Sequence, residues 1–112
     1  MKSIKENEER LDIIASLEDN WNNNGASKIP QDIINTLKDN LNNFIIQPDI
    51  FPTACDSIQF EYEKDNGDYL EFELFGNSVL KIFTMLSDSS ETTEKITFDI
   101  NEINNRIKEF YK

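Results

Sequence analysis

Between Ser57 and Met85, apolar and polar side chains alternate with period two. Ile58, Phe60 and Tyr62 are interleaved with Gln59, Glu61 and Glu63. Beyond Asp65-Asn66-Gly67, Leu70, Phe72 and Leu74 are interleaved with Glu71 and Glu73. Successive side chains of an extended strand point to opposite faces, so this pattern predicts consecutive antiparallel hairpins with one buried face. Loop parity then selects the register. A two-residue turn at Asn66-Gly67 would set Phe60 against Glu73 and Tyr62 against Glu71, mixing core and solvent side chains on one face, and is rejected. A three-residue loop, Asp65-Asn66-Gly67 with Gly67 left-handed, pairs Phe60 with Phe72, Ile58 with Leu74 and Tyr62 with Leu70. The same parity at Gly76-Asn77-Ser78 pairs Phe72 with Ile82, Leu74 with Leu80 and Glu73 with Lys81.

Outside this stretch the period changes. Ile4, Leu11, Ile14 and Leu17 recur at helical spacing, predicting an amphipathic helix over roughly Ser3 to Glu18. Asp19 to Ala26 is a turn-forming run, with Trp21 expected to tuck back into the core. Pro30 sits near the start of a second helix whose stripe is Ile33 or Ile34, Leu37, Leu41, Phe44 and Ile45. Gln47 to Thr53, with Pro48 and Pro52, reads as an extended connector anchored by Ile50 and Phe51. Ser87 to Thr93 reads as a polar, mobile loop and Lys95 to Phe98 as a fourth strand with Ile96 and Phe98 inward. Asp99 followed by Glu102 resembles a capping box opening a last helix, along which Ile103, Ile107 and Phe110 share a face. The expected fold is therefore α+β, in the order α-α-β-β-β-β-α: an antiparallel meander with helices packed on it, one domain over residues 1–112.

The predicted outer face carries Gln59, Glu61, Glu63, Glu71, Glu73 and Lys81, with Phe75, Val79, Phe83 and Met85 toward one side. Glu61 stands directly opposite Glu71, a like-charge pair that costs a sheet ~0.2–1 kcal/mol, so folding alone does not favour it. Two readings follow. The face is a solvated surface that keeps the chain soluble and guards a strand edge, or it is a contact surface for a basic partner with the apolar residues as anchors. The last helix bears on both, because packing it over the Phe75 and Phe83 side would make those residues ordinary core. Apolar residues make up 38% of the 112, and eight of the residues are Phe, which argues for a folded chain; the formal charge is −11. That charge argues against direct binding to nucleic acid or an anionic membrane and for encounter with basic proteins, including nucleic-acid enzymes. A single cysteine, Cys55, no apolar signal-peptide core near Met1 and no run of about 20 apolar residues imply a cytoplasmic setting.

Catalytic raw material is sparse. Histidine is absent, and Cys55 lies between Ala54 and Asp56 with no cation adjacent to activate it. There is no glycine-rich phosphate loop. Glu61 with Glu71 is the one pair suited to acid–base or metal chemistry, but it needs a pocket that the pattern does not show. Asn20, Asn22, Asn24 and Gly25 match positions one, three, five and six of a calcium loop. Such a loop wants a carboxylate first and a bidentate Glu twelfth, where this chain has Asn20 and Gln31, so an Asn-rich turn is the better reading. No enzyme activity, cofactor or metal is expected.

Trp21-Asn22-Asn23-Asn24-Gly25-Ala26, then Phe51-Pro52-Thr53, Ile58-Gln59-Phe60-Glu61-Tyr62 and Leu70-Glu71-Phe72-Glu73-Leu74 resemble a group of small prokaryotic and phage proteins. That group carries a Gly-Trp-Asp-Gly-x-Gly-Ala type turn between two helices, then Pro-Thr, Ile-x-Leu-Glu-Trp and Leu-x-Ile-Glu-Ile. The likeness runs from about Leu17 to Phe83. It departs at Asn22 and Asn23, where the group prefers Asp and Gly, at Tyr62, where it prefers Trp, and in lacking the usual glycine before the first strand. The resemblance implies a phage or mobile-element setting near toxin–antitoxin or defence loci and no enzyme activity; it places Glu61 and Glu73 on the group's acidic strand positions and makes Trp21 and Pro52 structural. Taken together, the expectation is a non-catalytic acidic protein-binding module that inhibits a basic, nucleic-acid-handling protein, as an anti-CRISPR, antitoxin or immunity protein does. Its partner-binding residues would be Glu61, Glu63, Glu71, Glu73, Phe75, Phe83 and Met85. The alternative is a structural protein, a homodimer that self-associates through Phe75, Val79, Phe83 and Met85.

Overall fold

A computed structural model of the chain describes residues 2–112. Helix α1 spans Ile4–Ser16 and opens on a complete capping box: the Ser3 hydroxyl accepts from the Glu6 N–H while the Glu6 carboxylate accepts from the Ser3 N–H. Its buried stripe is Asn7, Leu11 and Ile14. Ile4 is exposed, and Asn7 takes the inner position of that turn, where its amide donates to Gln47 Oε1 and the Pro48 carbonyl at 3.0 and 2.9 Å. A buried amide is tolerable because it finds those acceptors.

Helix α2, Gln31–Asn40, follows Pro30 and passes into a 3₁₀ turn at Leu41–Asn43. The helical stripe predicted through Ile45 therefore ends earlier. Ile45 is exposed and Phe44 is buried, since the tighter turn rotates the following residues off the helix face. Trp21 is half-buried against the core with its indole N–H on the Ser27 carbonyl.

Five strands form one antiparallel sheet in sequence order: β1 Asp49–Pro52, β2 Ile58–Glu63, β3 Tyr69–Leu74, β4 Val79–Met85 and β5 Glu91–Thr97. Both hairpins at the centre have three-residue loops, and Phe60 meets Phe72, Ile58 meets Leu74, Tyr62 meets Leu70, Phe72 meets Ile82, and Leu74 meets Leu80. Gly67 has φ +94°; at the second bend the left-handed residues are Asn77 and Ser78, not Gly76. The fold is the α+β meander with helices, enlarged by one strand. The connector at Gln47 to Thr53 is not free, because Asp49 to Pro52 pairs with Glu61 to Ile58. The supposed loop at Ser87 to Thr93 shrinks to Ser87–Ser89, since the third hairpin closes with the same parity and its strand begins at Glu91.

Helix α3, Ile100–Phe110, is capped by Asp99, whose carboxylate accepts from the N–H groups of Asn101 and Glu102. All three helices contribute to one core with the inward strand residues: Leu11, Ile14, Ile33, Ile34 and Leu37 meet Phe60, Phe72, Leu80 and Ile82, and Ile103 and Ile107 join from α3. The aromatic centre is a stacked Phe60–Phe72 pair with Phe44 edge-on to Phe60. With the helices on that side, the other face of the sheet carries none of them, and α3 does not cover Phe75 or Phe83.

Candidate functional site: the carboxylate face of the sheet

The uncovered face follows from the ladder. One row across it reads Asp49, Glu61, Glu71, Phe83 and Thr93; the next reads Phe51, Gln59, Glu73, Lys81 and Lys95; a third reads Glu63, Tyr69, Met85 and Glu91. Directly opposed side chains on one face stand ~4.5–5.5 Å apart at Cβ, so Asp49, Glu61 and Glu71 make a contiguous line of three carboxylates over three strands. Carboxylates on this face outnumber ammonium groups, and the two lysines, Lys81 and Lys95, stand opposite one another toward β5. The face is thus anionic over β1 to β3 and mixed over β4 and β5.

The Glu61–Glu71 repulsion is moderated by Tyr69. Its hydroxyl lies 2.5 Å from Glu61 Oε2 and 2.7 Å from Glu71 Oε1, bridging the pair, and its ring packs edge-on to Phe83. One phenolic proton serves both carboxylates. Partial burial, followed by those two hydrogen bonds, holds the Tyr69 hydroxyl protonated well above the ordinary phenol value of 10.0.

Glu73 is placed differently from its neighbours. It is 6% exposed, accepts from the Ser57 hydroxyl at 2.5 Å, and has Lys81 Nζ at 3.8 Å. Ser57 in turn shares a hydroxyl contact with Thr53. Glu73 is satisfied inside the protein and offers a partner little surface. Glu63 is exposed, Glu61 and Glu71 are half-exposed, Phe75 and Phe83 are half-buried, and Val79 and Met85, at opposite ends of β4, are exposed. The structure thus brings together Glu61, Glu63 and Glu71 as one group with Phe83 and Met85 adjoining it, leaves Phe75 apart beside Val79 beyond the Glu73–Lys81 row, and withdraws Glu73.

Asp49 and Tyr69 were not among the residues singled out from sequence. Tyr69 is legible by parity, two residues before Glu71 and so on its face. Asp49 required knowing that β1 pairs with β2. At that end of the sheet Asp49, Glu61 and Glu63 border an open groove of about 400 Å³ with Lys2, Glu6 and Tyr111.

The calcium-loop likeness dissolves in the geometry: Asn20 Oδ1 accepts from the Gly25 N–H, and Asn22 Oδ1 from those of Asn24 and Ala26. The amide oxygens are turned onto the backbone and hold the turn. Cys55 is exposed in the β1–β2 connection. Among the described residues no three His, Cys, Asp or Glu side chains converge to hold a metal ion, and no helix is long and apolar enough to cross a membrane. Comparison with protein-family models, with curated proteins and with solved structures finds no match to this chain.

Proposed function

We propose that this chain is a non-catalytic, acidic protein-binding module that neutralises a basic, nucleic-acid-handling protein. The observation that carries this reading is the uncovered sheet face, where Asp49, Glu61 and Glu71 line up across three strands although their mutual repulsion costs the fold stability. A partner presenting Lys or Arg side chains relieves that repulsion, and the groove at one end, where Glu6, Asp49, Glu61 and Glu63 outnumber the one cation, Lys2, has room for such a side chain. Phe83 and Met85 supply the adjoining apolar contact, and Phe75 a further one at the far end of the same face. Blockade is steric and electrostatic: the carboxylates occupy cationic positions that nucleic acid would otherwise take. The resemblance of the Trp21 turn and the two acidic strands to small phage and prokaryotic proteins supports a setting in defence or toxin–antitoxin systems, where an anti-CRISPR, antitoxin or immunity protein works in this way in the cytoplasm.

The test is affinity capture from the native host at low salt, comparing the wild type with a triple variant Glu61→Gln, Glu63→Gln, Glu71→Gln. The wild type is expected to retain a basic protein that about 0.5 M salt releases, and the triple variant to lose it. Retention unchanged in the triple variant refutes the carboxylate face as the contact. A second reading, self-association through the same face, draws on the exposure of Val79 and Met85, 38% and 40%. Sedimentation of Met85→Lys tests it, since that change disperses a face-to-face dimer.

A further inference from the structure

The two edges of the sheet are finished differently. On β1 the outward-directed backbone belongs to Pro48, Ile50 and Pro52, because Thr53 bonds inward to Ser57 and the ladder alternates from there. Both prolines lack an N–H, the Pro48 carbonyl is taken by Asn7, and the Ile50 carbonyl by Arg10 Nε at 2.9 Å. That edge offers an incoming strand almost nothing. On β5 the Ser90 carbonyl accepts from Leu86 and the Phe98 N–H donates to Ser78, so even-numbered residues face β4. Glu91, Thr93, Lys95 and Thr97 point their N–H and C=O groups outward, and no hydrogen bond from the described residues reaches them. The strand has seven residues, is rich in threonine, and contains neither proline nor glycine.

We propose that β5 pairs antiparallel with β5 of a second copy of this chain, joining two meanders into one ten-stranded sheet. Charge selects both the occupant and the register. Arg106 holds Glu94 in a two-pronged pair at 2.8 and 2.7 Å, so the strand's free charges are Glu91 and Lys95, one of each sign. Outward residues pair with outward residues, which restricts a twofold arrangement to a few registers. Centring on Glu94 sets it against its own copy, and centring on Lys95 does the same to Lys95. Centring on Thr93 sets Glu91 opposite Lys95 of the second copy, twice, with Thr93 against Thr93 at the axis. A foreign basic strand is disfavoured here, because Lys81 and Lys95 lie side by side along this border. The pairing is independent of whatever the carboxylate face binds, and it puts both such faces on the same side of the joined sheet, giving a partner two contact surfaces.

Sedimentation velocity in about 0.15 M salt, where screening leaves only close contacts, reads the outcome. The wild type is expected to reach twice the 13.1 kDa chain mass as concentration rises. Glu91→Lys alone and Lys95→Glu alone each place like charges opposite one another and weaken association about tenfold or more. Combining them restores it. Thr93→Pro, which removes an N–H unpaired in the monomer, abolishes association while its circular dichroism melt stays cooperative. A wild type that stays monomeric throughout, a dimer indifferent to both single changes, or a double variant as weak as the single ones overturns the proposal.

Discussion

Tyr69 shows how one side chain sets the terms for its neighbours. Two glutamates brought face to face by register would repel, and a hydroxyl between them converts part of that cost into charge-assisted hydrogen bonds. Tyr69→Phe is therefore expected to lower stability by about 1–2 kcal/mol in urea unfolding at neutral pH. Because the folded-state value of Tyr69 is raised, its contribution is complete below the ordinary phenol value of 10.0 and is lost as pH rises through the higher folded value. The gap between wild type and Tyr69→Phe should narrow in strongly alkaline solution. Tyr62 is a buried counterpart, its hydroxyl donating to the Ile46 carbonyl at 2.7 Å, and burial likewise keeps it protonated above the usual range. Glu73 illustrates what pattern alone cannot show. Its parity puts it on the acidic face, yet the Ser57 hydroxyl and Lys81 draw it out of reach, and strand periodicity does not encode which side-chain contacts bury one residue of a face and leave the next open.

At the level of elements, three bends share one geometry built from different residues. Gly67, the pair Asn77–Ser78, and Ser89 supply the positive φ values. Asn and Gly reach that region cheaply; Ser does so at some cost. A Cβ at Gly67 meets nothing within 4 Å, so Gly67→Ala should cost only the conformational penalty, about 1 kcal/mol in denaturant unfolding. Replacing Asp99, which caps α3, with Ala should cost a similar ~1 kcal/mol. The two central hairpins were legible because their apolar positions are dense enough to reject the wrong parity. β1 was not, because two prolines in the seven residues from Gln47 to Thr53 mark an extended connector as much as an edge strand. The start of β5 was hidden as well: Glu91, Thr92 and Thr93 contain no apolar residue to reveal alternation, and only pairing with β4 orders them.

For the whole molecule, a charge of −11 on a chain of 112 residues opposes compaction through net self-repulsion. Raising salt from about 0.01 to 0.5 M is expected to increase stability by roughly 1 kcal/mol, read as a higher denaturant midpoint, because screening relieves that repulsion. Acid works in the other sense at two tethers. The Ser87 N–H holds the Asp68 carboxyl below its ordinary value, tying the β2–β3 loop to the β4–β5 loop, and Arg106 does the same to Glu94, tying β5 to α3. A lowered folded-state value means stability present above the ordinary carboxylate range and lost as pH falls through the folded value. Unfolding midpoints should fall modestly below about pH 4, and less so in a Glu94→Gln variant, which has no such carboxylate to protonate.

Sequence by itself determined the alternation, the odd bends and therefore the opposition of Glu61 to Glu71, because strand periodicity is a local property and a single slip would have buried charge. Only the tertiary structure decided which side the helices take, that Asp49 extends the anionic row, that Glu73 is withdrawn, and that one edge is sealed while the other is open. Each of those depends on segments meeting from distant parts of the chain, as Arg10 meets Ile50 and Arg106 meets Glu94, and such meetings are set by the packing of the whole core rather than by any window of residues.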